Sequence, residues 1–165
     1  MSRCPLQVLV FPYIQKAGVF YYALFKRKTG KYWQGIAGGG EMGETPLKAA
    51  QRESCEEAGI PESADYMVLL SMTTMPAPAV CGFEWGESVC VVLERSFGVA
   101  VADEALVLSQ EHCEYKWMTF DEAMAHLKWD SNKNALWELN HRLTHGVSDM
   151  SDNLKYLKTF LEYGG

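Results

Sequence analysis

The stretch from Gly38 to Ile60 constrains this chain more than any other. A glycine run, Gly38-Gly39-Gly40, leads into a segment with an unusual charge pattern. Thr45 is a good N-cap, and Pro46 suits the first helical position, where the amide it lacks has no intrahelical partner. Gly59 followed by Ile60-Pro61 is a stop, because glycine takes the left-handed conformation freely and proline cannot continue a helix. The spacing predicts a helix from Pro46 to Ala58. On it Glu53, Glu56 and Glu57 stand at i, i+3 and i+4, which places them on one face. They repel one another and occupy the half of the helix where the dipole disfavours negative charge. A cation relieves both strains, and clustered hard oxygen ligands suit Mg²⁺ or Mn²⁺. Arg52 is placed to hold one carboxylate by a two-point contact, and Glu44 can brace the network. The opposite face, Leu47, Ala50, Ser54 and Ala58, is small enough to pack on a sheet.

A Glu-Glu pair on a helix is ordinarily only a solvated face. What carries weight here is the whole order: Gly38, Glu44, Arg52-Glu53, Glu56-Glu57, Gly59, then apolar Ile60. This resembles the Nudix box of the Nudix hydrolase family at every charged and glycine position. One position departs, since Ser54 stands where the family usually carries an aliphatic residue, on the core side of the helix.

The rest of the chain reads as strands, one central helix, more strands and terminal helices. Gln7–Ile14 and Val19–Lys26 form a hairpin, with Pro12 marking an edge or bulge. Lys26, Arg27 and Lys28 are either a solvated strand end or a group facing phosphate. A short strand, Lys31–Ala37, feeds the glycines, which lack the Gly-Lys-Ser/Thr of a phosphate loop and instead let the backbone turn and approach a ligand at Gly38. Further strands fall at Tyr66–Met75, Glu87–Ser96 and Tyr115–Thr119, with Gly98–Val107 as a weak strand edge. The Pro76–Gly86 stretch reads as a loop whose Phe83 and Trp85 either line a pocket or anchor packing. Thr119 and Glu122 make a capping box before a helix at Asp121–Leu127, followed by helices at Asn132–Leu143 and Ser151–Tyr163. The pattern alone gives an α/β or α+β domain with a mixed sheet. The resemblance implies α/β with the Nudix fold, an α/β/α sandwich, over residues 1–145; a C-terminal helical extension over 146–165 lies outside it.

Composition excludes other classes. A net charge of −6 with scattered Lys and Arg argues against a nucleic-acid partner. No apolar run reaches transmembrane length and Leu6–Val10 is too short for the apolar core of a signal segment, so no membrane partner is expected and the chain reads as cytoplasmic. The five cysteines, Cys4, Cys55, Cys81, Cys90 and Cys113, have no metal spacing and read as reduced thiols, mostly in the core. The apolar stripe of the last helix is compatible with a homodimer.

The flanks narrow the resemblance. Tyr32-Trp33-Gln34, Glu111-His112 with Tyr115-Lys116-Trp117, and Trp129 with Ser131-Asn132 resemble the branch that cleaves dihydroneopterin triphosphate, also described as dATP-cleaving. That resemblance implies Glu53, Glu56, Glu57 and, from outside the box, Glu111 as the residues that hold the metal. It implies Arg3, Lys26 and Ser131 as substrate contacts, and Arg52 as the group that orients Glu53. The general base is Glu53 or Glu56, with Glu111 as rival. The implied reaction is Mg²⁺-dependent cleavage of a small-molecule phosphoanhydride, a nucleoside or dihydroneopterin triphosphate, to the monophosphate and pyrophosphate. ADP-ribose, nucleotide-sugar and dinucleoside polyphosphate hydrolysis are alternatives, as is a nucleotide sensor without catalysis. The Pro76–Gly86 loop does not match the branch, which leaves the leaving nucleoside or pterin open.

Overall fold

The computed structural model describes residues 2–82 and 84–161. It contains strands β1 (Arg3–Lys16), β2 (Val19–Arg27), β3 (Trp33–Gln34), β4 (Ile36–Glu41), β5 (Asp65–Pro76), β6 (Val91–Ala100) and β7 (His112–Met118). The helices are α1 (Pro46–Ala58), α2 (Ala77–Cys81), α3 (Phe120–His126), α4 (Asp130–His145) and α5 (Ser151–Leu161). The strands join in one sheet, ordered β3-β2-β1-β6-β5, with β4 added to β1 and β7 to β2. β1 and β6 run parallel and the other pairs antiparallel, so the sheet is mixed as expected.

The alternation of a strand explains the layers. Val8 and Val10 of β1 face α1, where Ala49, Ala50 and Ala58 allow close approach. Leu9 and Phe11 face the other way, against Leu136 and Leu139 of α4. The result is helix, sheet, helix. Gly98 of β6 belongs to this packing, because a Cβ there would lie 2.5 Å from Leu139 Cδ1.

α1 has the expected limits. Thr45 Oγ1 accepts the amide of Lys48 at 3.3 Å, and Gly59 closes the helix at φ 67°. Ala17 and Gly18, both at positive φ, make the tight turn between β1 and β2. Pro12 is on no edge. It falls where β1 changes neighbours, β4 pairing up to Val10 and β2 from Tyr13, so its missing amide interrupts neither ladder.

Several expectations are corrected. Gly38-Gly39-Gly40 is not a loop but the middle of β4, and the turn follows at Met42 to Thr45. Gly98 is not at an edge, since β6 lies between β1 and β5. The Pro76–Gly86 stretch carries the short helix α2, and Phe83 lies outside the described residues. The thiols of Cys55, Cys90 and Cys113 are exposed and Cys4 is half-buried, so these are not core residues. α5 is mostly exposed along Ser151–Leu161, and the remainder of the expected helix, to Tyr163, lies outside the described residues. No helix among the described residues is long and apolar enough to cross a membrane.

Candidate active site

A cavity of about 910 Å³ opens where α1, β4, β1, β6, β5 and the start of α4 meet. Glu53, Glu57 and Glu111 line it, as do Arg3, Gly38 and Ser131. Three expected residues do not: Lys26, Glu56 and Arg52, the last of which acts on the cavity through Glu53. Lys26 lies over the Trp33 ring, with its ammonium 3.7 Å from Glu114. Glu56 is turned to solvent, its side chain 59% exposed, and touches Arg52 at 3.3 Å. The basic wall position belongs to Arg27 instead. Alternation along β2 is the cause: Arg27 falls on the face of Ala23 and Phe25, which pack toward α1, and Lys26 on the face of Tyr22 and Leu24.

The glycines of β4 let charged groups reach the strand from both sides. A Cβ on Gly38 would lie 2.0 Å from Glu53 Cδ, and one on Gly39 would lie 2.4 Å from an Arg3 guanidinium nitrogen. Glycine is therefore required here for close approach rather than for a turn.

Arg52 organises the acidic end. Its Nε and Nη2 fork onto the two oxygens of Glu44 at 2.9 and 3.0 Å, and Nη2 also donates to the Gly39 carbonyl at 2.8 Å. Its Nη1 donates to Glu53 at 2.8 Å. The two-point contact thus goes to Glu44, which also accepts the Glu41 amide, and Glu53 receives a single bond. Hydrogen bonds from Arg52 hold the Glu44 carboxyl below its usual range. Burial raises that of Glu53, against the pull of Arg52.

Glu57 is buried and has one carboxylate oxygen, Oε2, with no hydrogen-bond partner. Burial first, and then the charges of Glu53 and Glu111, push its carboxyl up to about 8, opposed by Arg27. His112 Nε2 lies 3.9 Å from that oxygen and is also unpartnered. Burial, together with Arg27, lowers the imidazole to about 4, so at neutral pH it brings no charge to Glu57. Glu111 pairs with Arg27. Among the described residues no group of three or more acidic, histidine or cysteine side chains is drawn together as a ready-made metal site. Arg52 and Arg27 hold Glu53 and Glu111 by their charges. The orphaned oxygen of Glu57, between two further carboxylates, is nevertheless the environment a divalent cation fits.

Sequence reading missed Gln7, Thr73 and Glu94, which line the cavity, and singled out Lys26 rather than Arg27 from the basic cluster 26–28. Glu94 had a signal of its own: a carboxylate inside the apolar run Val91-Val92-Leu93-Glu94 is a charge that a sheet must bury. Trp85 donates its indole N–H to the Arg3 carbonyl at 2.7 Å, so this aromatic anchors the loop on β1.

The fold and the sequence recur in known proteins. The dihydroneopterin triphosphate diphosphatase of Escherichia coli K12 is 29% identical over 135 residues, which cover 80% of this chain and 89% of that protein. A putative NUDIX hydrolase structure from Listeria monocytogenes superposes with a TM-score of 0.79 at 34% identity, covering 87% of this chain and 97% of that one. The E. coli dihydroneopterin triphosphate pyrophosphohydrolase structure gives 0.70 at 26% identity, covering 85% and 99%. The NUDIX domain family matches residues 7–138, and so the chain belongs to that family and is a Nudix hydrolase.

Proposed function

We propose that this chain is a divalent-metal-dependent pyrophosphohydrolase that cleaves a nucleoside triphosphate or dihydroneopterin triphosphate to the monophosphate and pyrophosphate. The observation that carries this reading is the buried, unpartnered oxygen of Glu57, in one cavity with Glu53, Glu111 and two arginines. The likeness to an E. coli protein named for dihydroneopterin triphosphate supports the substrate class.

In this reading Glu53, Glu57 and Glu111 hold Mg²⁺ or Mn²⁺, with Glu56 peripheral on Arg52. When bound, the metal neutralises phosphate charge and acidifies water. The chain's own side chains do the rest. Arg3 and Arg27 face the phosphates, and Arg27 exchanges Glu111 for them. Arg52 fixes Glu53 against Gly38, where Glu53 accepts the proton of the attacking water; Glu111 is the rival for that role. Ser131 lies further along the cavity, toward the group the phosphates are attached to. The catalytic domain is residues 1–145, and 146–165 is an extension, a division supported by Gly146 closing α4 at φ 65°.

The test is release of pyrophosphate or orthophosphate from nucleoside triphosphates, dihydroneopterin triphosphate, ADP-ribose and diadenosine polyphosphates, with Mg²⁺, with Mn²⁺ and with chelator. Metal-dependent pyrophosphate release from a triphosphate is expected. Turnover of ADP-ribose or a dinucleotide alone would overturn the substrate class, and binding without any turnover would make the protein a sensor.

A further inference from the structure

Across the sheet, Gly39 pairs with Gln7, Gln7 with Glu94 and Glu94 with Thr73. Directly paired residues project to the same face, and all four line the cavity. The row therefore starts beside the Arg3 guanidinium and leads away from the acidic helix, reaching Glu94 after two strand spacings, roughly 10 Å.

Glu94 is unusual in this row. It is 3% exposed, yet no basic side chain pairs with it among the described residues. Its Oε2 accepts the Gln7 amide N–H at 3.3 Å. Its Oε1 is buried without a partner, with the Ser131 hydroxyl beside the carboxyl. A buried carboxylate short of donors is costly, and a ligand that brings donors removes that cost.

The geometry points to Glu94 as the residue that reads the substrate's ring, and to a ring bearing an endocyclic N–H beside an exocyclic amine, as in guanine and in a 2-amino-oxo pterin. This inference rests on the proposed function for the presence of a phosphorylated heterocycle in the cavity. A carboxylate presents two acceptors side by side, and only such an edge offers two donors at matching spacing. Adenine and cytosine each offer an amine beside an acceptor nitrogen. Uracil offers an N–H between two carbonyls. Each of these leaves a Glu94 oxygen facing an acceptor or facing nothing. Sites built around a hydrogen bond to a substrate N–H reject analogues that lack it, because the protein group is then left unpaired.

The experiment is calorimetric binding of GMP, IMP and AMP to the full chain without metal. IMP differs from GMP only by the missing amine. GMP is expected to bind at least about tenfold more tightly than either, the value of one charge-assisted hydrogen bond. Glu94→Gln replaces one acceptor with a donor, and should erase the preference by weakening GMP while leaving AMP unchanged or improved. The comparison of GMP with IMP on the unaltered chain needs no variant, so a folding defect in Glu94→Gln leaves the test intact. Equal affinity for GMP and IMP, or a GMP preference that survives Glu94→Gln, would overturn the assignment. Binding is read without turnover, so a GMP preference in a chain that hydrolyses no triphosphate supports this inference while rejecting the proposed reaction.

Discussion

Two buried carboxylates lie on opposite sides of the sheet, Glu138 on α4 and Glu57 on α1, and they differ in how they are satisfied. Glu138 accepts the amides of Leu70 and Ser71 at 2.8 and 2.6 Å, the Ser71 hydroxyl at 2.6 Å and Arg142 at 3.2 Å. Arg142 in turn donates to the Val68 carbonyl at 2.9 Å. The pair clamps β5 where its register against β6 shifts between Val68 and Met72, so it serves backbone groups that the ladder has released. Glu57 has no such completion: one oxygen is orphaned, and the charges of Glu53 and Glu111 act against it more than Arg27 offsets them. A satisfied buried charge holds a fold together, whereas an unsatisfied one marks a place where something else binds.

That contrast breaks first at Glu57. Glu57→Gln keeps the shape but removes the charge, and should lower kcat by about a thousandfold, the several kcal/mol that a catalytic metal supplies. Its melting temperature in chelator should equal or exceed that of the parent. A rate unchanged at saturating Mg²⁺ would place the metal elsewhere.

Glu138→Ala should do the reverse. Leaving the Arg142 charge buried without its carboxylate costs about 3 kcal/mol of stability, read from urea unfolding, while the activity per folded molecule stays near the parent's. Loss of activity without loss of stability would give Glu138 a role the geometry does not contain.

Gly38→Ala sharpens the acidic side. The new methyl must push Glu53 off the strand, and a displacement of about 1 Å should lower kcat by about a hundredfold with little change in fold. Glu94 tests the same contrast through pH. Burial raises its folded-state carboxyl above the ordinary value of 4.5. The native state then holds more protons than the unfolded one over the window from 4.5 upward to that raised value. Its contribution to stability is full below pH 4.5 and is lost as pH rises through the folded-state value. Glu94→Gln should flatten that decline, measured as urea midpoints between pH 4.5 and 8. The smallest effect is expected at Glu56, which is solvent-facing: Glu56→Gln should change kcat by less than about threefold, the scale of an exposed ion pair.

Much of α1 was legible because its limits are local chemistry: a threonine cap, a proline at the first turn, a glycine at φ 67°. The same holds for the capping box at Thr119, whose amide reaches Glu122 at 2.9 Å. The glycines of β4 were misread because their purpose is tertiary. They make room for Glu53 and Arg3, whose approach no local pattern announces. Arg27 was hidden behind Lys26 for a similar reason, since alternation separates the two cations but only the assembled sheet shows which face of β2 meets α1. Glu94 was visible as a charge in an apolar strand, but its meaning depends on Gln7 and Thr73, which come from strands far away in sequence.

β1 also bears on how the chain comes into being. Of the seven strands β1 is made first, and it lies in the middle of the finished sheet, with β4 and β2 on one edge and β6 on the other. Its hairpin with β2 closes early, but Leu6 must wait for Leu93 and Tyr13 for Ala100 before the second edge is covered. Contacts of such sequence separation slow folding, and an uncovered apolar edge invites pairing with a neighbouring nascent chain. The vulnerable period of this protein is therefore its synthesis between β2 and β6, and slower translation over that span should lower its soluble yield.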